Sequence, residues 1–482
     1  MGSSNIVQKS IGWSLFSEIA AKFVTPITNM LLARILVPDD FGVLAICNML
    51  VSFVDIITDA GFGKYLVQHD FSSEDEKRDY ADVAFWSNLA ISAFMVILIV
   101  IFRRPVAKLL GNEKYSTVIS IASIQLIFTS LSSIQTGLFR RQFNFKKLFI
   151  TRLSVAIAPL VITVPLALYT HSYWSLIIGN LSGAFINSLV LTIMSSWKPS
   201  LFYSFELLKN MFSFSFWSLC EGLANWVIFW VDTFIVSHFC SEYYLGIYKN
   251  SANMVMSIMG MISASMSPVL LSVLSRVKDD KKTFFELFLS IERVMLYLIL
   301  PMGIGLFCYR KVATYILFGK QWSEAANIVG GWALMMMCSL AFYSFPAELY
   351  KSKGIPKILF FFQISYIIFL VPCCIISIRR GFWIFVYSRC LCVIEQIIMS
   401  LIFIKATFNF NSMKLFKNMG KPLLATLIIP TVYVITYRWI NISYVHEFLG
   451  MLISCFVYLA VVYLFFKRDI LSARSRIQKF NV

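Results

Sequence analysis

Long apolar runs separated by short polar connections organise this chain from end to end. The segments Val83 to Phe102, Ile358 to Ile378 and Phe448 to Phe466 contain no charged residue and run to 20, 21 and 19 residues. At about 1.5 Å per helical residue, each is long enough to cross the roughly 30 Å of bilayer hydrocarbon. Extending the pattern predicts helical spans near 11–35, 41–62, 82–102, 116–138, 149–169, 173–196, 213–237, 245–275, 291–309, 326–350, 357–377, 381–404, 421–440 and 446–466. The expected fold is therefore an all-α polytopic membrane protein with about 14 transmembrane helices. The first run carries Glu18 and Lys22, has no small-x-small cleavage site and outlasts signal-peptide length, so it reads as a span. No connection is long enough to hold a soluble catalytic domain.

Polar residues inside the runs recur at helical spacing, which places them on single faces. Ser14, Glu18, Lys22, Thr25 and Asn29 form such a stripe in the first span. Asn48, Ser52, Asp55 and Asp59 repeat it in the second, and Ser218, Glu221, Asn225 and Asp232 in the seventh. Lys249, Asn253, Ser257, Gly260, Ser263 and Ser267 line one face of the eighth. An ionisable group at the centre of a span costs at least about 2.5–3.5 kcal/mol, so it should face a partner or a wet cavity. Glu18 and Lys22 are an i,i+4 pair that partly neutralises itself, but the stripe continues past them, which favours a cavity wall. Arg389 and Glu395 in the twelfth span are further candidates, and Arg152 reads as an interfacial anchor.

A slide of 204 residues aligns the first two spans with the seventh and eighth without a gap. Trp13-Ser14-Leu15 falls on Trp217-Ser218-Leu219, Gly42 on Gly246, Val51 on Val255 and Leu66 on Leu270. Six spans separate the copies, so both enter the membrane in the same direction. Parallel repeats pack about an axis normal to the membrane and leave a cavity between them. The expected organisation is a six-helix lobe over 1–200, a second over 201–410, and two further helices with a basic tail over 411–482.

Composition agrees. Hydrophobic residues make up 59% of the 482, charged residues only 14%, and the mean hydropathy is +0.75, which excludes a soluble globule, a disordered chain and a disulfide scaffold. The net charge of +17 would suggest nucleic acid in a soluble protein. Here the basic residues sit in short connections on the side of the N terminus, which predicts that both termini are cytoplasmic and no nucleic-acid partner. Clusters such as Arg140-Arg141 with Lys146-Lys147 also offer contacts to anionic membrane lipids. The ten cysteines lie mostly in apolar runs, and the four histidines are far apart. No metal or cofactor is expected. Eight of the 13 prolines fall within spans, where each frees a carbonyl and permits a bend. Pro26, inside the first stripe, is placed to narrow one end of a cavity.

The stretch from Leu31 to Gln68, LLARILVPDDFGVLAICNMLVSFVDIITDAGFGKYLVQ, resembles the N-terminal signature of Wzx-type polysaccharide flippases, closest to the colanic-acid-exporter branch. There an L-A-R-x-L-x-P-x-D-F-G run is followed by a D-x-G-x-G segment. GLFRRQFNFKKLFI (Gly137 to Ile150) is similar to that branch's basic loop, and AELYKSKGIPK (Ala347 to Lys357) to its loop after the tenth span. The resemblance implies the MOP superfamily fold, with two six-helix lobes around a cavity. It implies a bacterial inner-membrane flippase, not an enzyme, that moves undecaprenyl-diphosphate-linked oligosaccharide to the periplasmic leaflet for O-antigen, capsule or exopolysaccharide synthesis. A polysaccharide polymerase and a chain-length regulator are the candidate protein partners. On this reading Lys22 and Lys249 attract the diphosphate, with Arg389, Asn29, Asn225 and Trp226 as further cavity contacts, and Glu18, Asp59, Glu221 and Asp232 as coupling carboxylates. These carboxylates also keep open a MATE-type cation antiporter, which shares the fold, and a lipid II flippase is a near neighbour in substrate. A membrane glycosyltransferase or polymerase can place acidic residues in an early outside loop. Asp39 and Asp40 occupy one, but beside Pro38 they read more simply as a helix start.

Overall fold

The computed structural model describes residues 24–355, 357–439, 444–467, 469 and 471. Among them all regular structure is helical, and 13 helical segments are long and apolar enough to cross a membrane. They run from Pro38–Asp59 to Tyr444–Phe466 and correspond one for one to the second through fourteenth predicted spans. Of the first, residues 24–35 are helical; Glu18, Lys22 and the Trp13-Ser14-Leu15 triple lie outside the described residues. Large apolar side chains point outward all along these helices, Phe456 at 75% and Leu464 at 71% exposure among them. That surface would be unstable against water and is what a lipid-solvated helix requires.

The chain divides into two compact units between Lys249 and Asn250. In the first, Phe62, Tyr65, Leu66, Tyr80, Val83, Phe85, Ile134 and Leu138 form a buried cluster that joins the short Phe62–Gln68 helix to Glu74–Ile101 and Gln125–Arg141. In the second, the last helices dock on Lys281–Cys308 through a cluster containing Tyr297, Tyr309, Ala425, Ile429 and Tyr458. The Tyr309 hydroxyl donates to the Gly450 carbonyl at 3.0 Å, and the Tyr458 hydroxyl to that of Tyr297 at 2.6 Å. Asn418 bridges the buried Glu292 carboxylate and Arg293, at 2.9 and 2.8 Å.

The prolines act unevenly. Five-residue π turns occur at Pro159–Thr163 and at Leu340–Ser344, just ahead of Pro346, where a missing N–H lets the helix widen. Pro268, Pro301 and Pro372 are carried inside unbroken helices. Basic residues of the Gly137–Ile150 segment have local roles. Arg141 donates to the carbonyls of Leu66 and His69, at 3.0 and 2.5 Å, and so ends the Phe62–Gln68 helix. Lys147 donates to Met194 O at 2.7 Å, at the end of Trp174–Met194. Cations at helix C-termini complement the orphan carbonyls and the dipole there.

Within the first unit, Pro38–Asp59 and the start of Glu242–Arg276 cross at glycine. A Cβ on Gly42 would overlap the carbonyl of Glu242; one on Gly246 would overlap that of Pro38 and lie 3.0 Å from Gly42 N. Small residues let helix backbones meet this closely. Gly42 and Gly246 are 204 residues apart, as are Pro38 and Glu242. The contact is therefore reciprocal, each member of the repeat making the contact its counterpart makes, as across a two-fold axis.

Candidate functional site

The polar stripe of Pro38–Asp59 is a set of rungs to neighbouring helices. Asn48 Oδ1 accepts from Asn180 Nδ2 at 3.0 Å. Ser52 Oγ accepts from Trp226 Nε1 at 3.1 Å. Asp55 accepts from Thr129 Oγ1 at 2.8 Å and Asp59 from Ser133 Oγ at 2.6 Å. The last two rungs share an offset of 74 residues, so Pro38–Asp59 and Gln125–Arg141 run in the same direction, as helices two crossings apart must. Hydrogen bonds between membrane helices contribute about 0.6 kcal/mol on average and up to about 1.7. The stripe therefore holds the unit together.

At one end of Pro38–Asp59 the packing is closed. Asp40, buried at the helix start, accepts from Val37 N at 3.2 Å and Tyr173 N at 2.8 Å. This is the helix-start role, and it ties the 36–40 connection to the one near residue 173. Asn112 Nδ2 donates to Glu242 at 2.6 Å. The preceding Gly111 has φ of +115° and no room for a Cβ beside Ser237 O, so only glycine fits. The glycine crossing lies in this same region.

Asp232 and Lys249 form a buried cluster on the adjoining helical hairpin, Phe205–Phe239 and Glu242–Arg276. Asp232 accepts from the backbone and hydroxyl of Thr233, at 2.6 and 3.1 Å, and from Tyr248 OH at 2.9 Å. Lys249 Nζ lies 3.9 Å from that carboxylate, donates to Phe229 O at 2.8 Å, and sits 4.2 Å from the ring centres of both Phe229 and Trp230. Removing one partner of such a buried pair costs about 3–5 kcal/mol, because it leaves an uncompensated charge.

The opposite end of Pro38–Asp59 is built differently. Ala60 and Gly61 adopt left-handed conformations, with φ of 42° and 80°. They turn the chain into Phe62–Gln68, whose Gly63 packs against Gly137 so tightly that a Cβ on Gly137 would lie 3.1 Å from Gly63 O. The D-x-G-x-G segment, Asp59 to Gly63, is thus a rigid turn anchored at both ends. It presents Lys64, which pairs with Glu221 at 3.2 Å while the two side chains stay 51% and 57% exposed. Asn225, one turn along from Glu221, is also exposed and donates to Glu221 O at 2.9 Å. An exposed pair of this kind contributes only about 0–1 kcal/mol.

The expected site residues thus fall into separate places. Asp59, Glu221 and Asn225 lie near one end of the Pro38–Asp59 helix, and Asp232 and Lys249 are buried together. Trp226 is partly buried between Ser52 and Phe53, its ring 4.9 Å from that of Phe53. Asn29 is half-buried on the 24–35 helix. Arg389 belongs to the second unit, buried, donating to Tyr366 OH at 2.9 Å and lying 5.2 Å from the Trp332 ring. In the same unit Glu395 accepts from Ser365 Oγ at 3.0 Å. Lys64 and Glu292 escaped the sequence reading. Lys64 is written in the D-x-G-x-G-K string, but hydropathy puts it just past a span. Glu292 looks like one more charge at a helix start, but helix packing buries it, with Asn418 as its hydrogen-bond partner. Among the described residues no group of three or more His, Cys, Asp or Glu is placed to hold a metal ion.

Comparison with known proteins decides the lineage. A family model described as polysaccharide biosynthesis protein matches residues 31–327, well over half of the chain. The chain belongs to that family. Among its relatives, the succinoglycan biosynthesis transport protein ExoT of Rhizobium meliloti (strain 1021) is 28% identical over 335 residues, 69% of this chain and 66% of the relative. The lipopolysaccharide biosynthesis protein WzxC of Escherichia coli (strain K12) is 19% identical over 67% of this chain and 66% of its own length. The chain thus spans just under two thirds of the length of these relatives. In three dimensions it superposes on the lipid II flippase MurJ, in an inward closed conformation, with a TM-score of 0.79 at 16% identity, covering 95% of this chain and all of that one. An inward-facing MATE family transporter of the MOP superfamily gives 0.62 at 10% identity, over 83% and 96%. At those identities the likeness establishes the fold alone, one shared with MurJ and with that MATE transporter.

Proposed function

We propose that this chain is a flippase that moves undecaprenyl-diphosphate-linked oligosaccharide repeat units from the cytoplasmic to the periplasmic leaflet, supplying O-antigen, capsule or exopolysaccharide synthesis. The observation that carries this reading is the family match over residues 31–327, which takes in both the anchored turn with Lys64–Glu221 and the glycine crossing. The transport and lipopolysaccharide roles in the names of ExoT and WzxC point the same way. The reading takes the protein as a transporter without a covalent step of its own, resident in the bacterial inner membrane with both termini cytoplasmic. A polysaccharide polymerase and a chain-length regulator are the partners that would take up its product.

On that topology the glycine crossing lies toward the periplasm and the Lys64–Glu221 pair toward the cytoplasm. The closed packing at the first and the exposed charges at the second describe a state that receives substrate from the cytoplasmic leaflet. Outward release then requires the crossing to part, by rocking of the repeats. Lys249 joins the binding surface only when its pair with Asp232 opens, and Lys22 lies on the first-span stripe. Asp59, Glu221 and Asp232 are the carboxylates available for ion coupling. The test is genetic and biochemical together. In a strain lacking its repeat-unit flippase, this gene with its own polysaccharide cluster should restore surface polymer and relieve accumulation of lipid-linked oligosaccharide on the cytoplasmic leaflet. Persistent accumulation with the protein inserted and folded would refute the reading, and efflux of a cationic dye would then be measured.

A further inference from the structure

Which cation meets the substrate first is decided by how each is held, and we propose that it is Lys64, with Glu221 as an exchangeable counter-ion standing where the diphosphate binds. The inference rests on the flippase reading and adds to it a residue and a mechanism of recognition. Three observations carry it. Lys64 leaves a turn fixed on both sides, by Asp59 on Ser133 and by Gly63 on Gly137, so its backbone is pre-positioned rather than mobile. Its ammonium is half exposed although the adjoining helices are spans, and its partner is a carboxylate that is equally exposed. Charges in that setting require water rather than lipid around them. Lastly, Lys64 differs from three other cations of the first unit, which act within the fold. Lys249 is enclosed by Asp232, Phe229 and Trp230, while Arg141 and Lys147 donate to helix-end carbonyls.

The chemistry follows from the charges. Glu221 offers Lys64 one negative charge across 3.2 Å in a wet site. A diphosphate ester offers two or three, with more acceptor oxygens, and lysine binds phosphate as a compact point charge. Exchange of one anion for the other loses a weak contact and gains a stronger one. It also releases Glu221, whose helix carries Asp232 eleven residues further on, so arrival of substrate alters the charge balance of the hairpin that closes the other end.

The experiment uses the full-length protein in nanodiscs, with geranylgeranyl diphosphate as probe and phosphatidylglycerol as competitor. Lys64→Gln should weaken probe binding by about tenfold or more, the scale of a lost hydrogen bond to a charged group. Lys64→Arg should retain most of it. Glu221→Gln should bind as well as the parent or more tightly, because the competing anion is gone. If Lys64→Gln and Glu221→Gln weaken binding equally, the pair is a structural link and the proposal fails. It fails too if Lys64→Gln binds like the parent, or if phosphatidylglycerol displaces the probe at equal concentration. Thermal unfolding of each variant separates loss of binding from loss of fold, and Lys64→Arg and Glu221→Gln still decide the matter if Lys64→Gln does not fold. Failure of the flippase reading looks different: the parent itself then neither restores surface polymer nor binds the probe.

Discussion

The two ends of the Pro38–Asp59 helix, about 32 Å apart along its axis, solve opposite problems with the same kinds of residue. At the Gly42 end, two carboxylates are engaged within the fold: the buried Asp40 by two backbone N–H groups, the half-buried Glu242 by the Asn112 amide. Backbones touch there through glycine. At the Asp59 end, glycines shape a turn rather than a crossing, and the charge pair beyond it stays in contact with water. The difference teaches that a polar residue in a membrane helix is not by itself a binding group. What matters is whether its partner can be exchanged at small cost, and that is set by burial.

This contrast can be broken most severely at the crossing. Gly246→Val places a branched side chain where even a methyl overlaps Pro38 O, so surface polymer should be lost and the thermal midpoint in detergent should fall sharply. Normal export in that variant would show that the helices need not meet. Next in size is the buried pair. Asp232→Ala leaves Lys249 uncompensated and should cost about 3–5 kcal/mol in unfolding free energy. The double variant Asp232→Asn/Lys249→Met should recover most of that, and no recovery would mean that the hydrogen bonds from Thr233 and Tyr248 carry the stability. A smaller effect is expected along the rungs: Thr129→Val removes one interhelical bond to Asp55 and should cost about 0.6–1.7 kcal/mol. Smallest of all in stability is Glu221→Gln at the exposed pair, with a change of about 1 kcal/mol or less in the same unfolding measurement. A larger loss there would mean that the pair is structural, which would erase the contrast between the two ends.

Much of the architecture was legible because a bilayer leaves few options. Backbone groups in hydrocarbon must bond within their own helix, so an uncharged run such as Ile358 to Ile378 announces Lys357–Ile378 directly. The site was legible only in part. Helical phase placed Glu221 and Asn225 on one face, and both are exposed there. The same phase made Lys249 look like a cavity group, yet it is buried against aromatic rings. Phase reports which face a residue occupies, not what lies opposite that face.

The sequence alone therefore determined the class of fold, the approximate positions of the 13 membrane helices found among the described residues, and the repeat that pairs Gly42 with Gly246, since each depends on hydropathy or on spacing within the chain. Only the tertiary structure decided that those two glycines meet and that Asp232 encloses Lys249. It alone also joined Lys64 to Glu221 across 157 residues of chain. Such partnerships depend on how helices pack side by side, and no local pattern encodes the distance between residues on different helices.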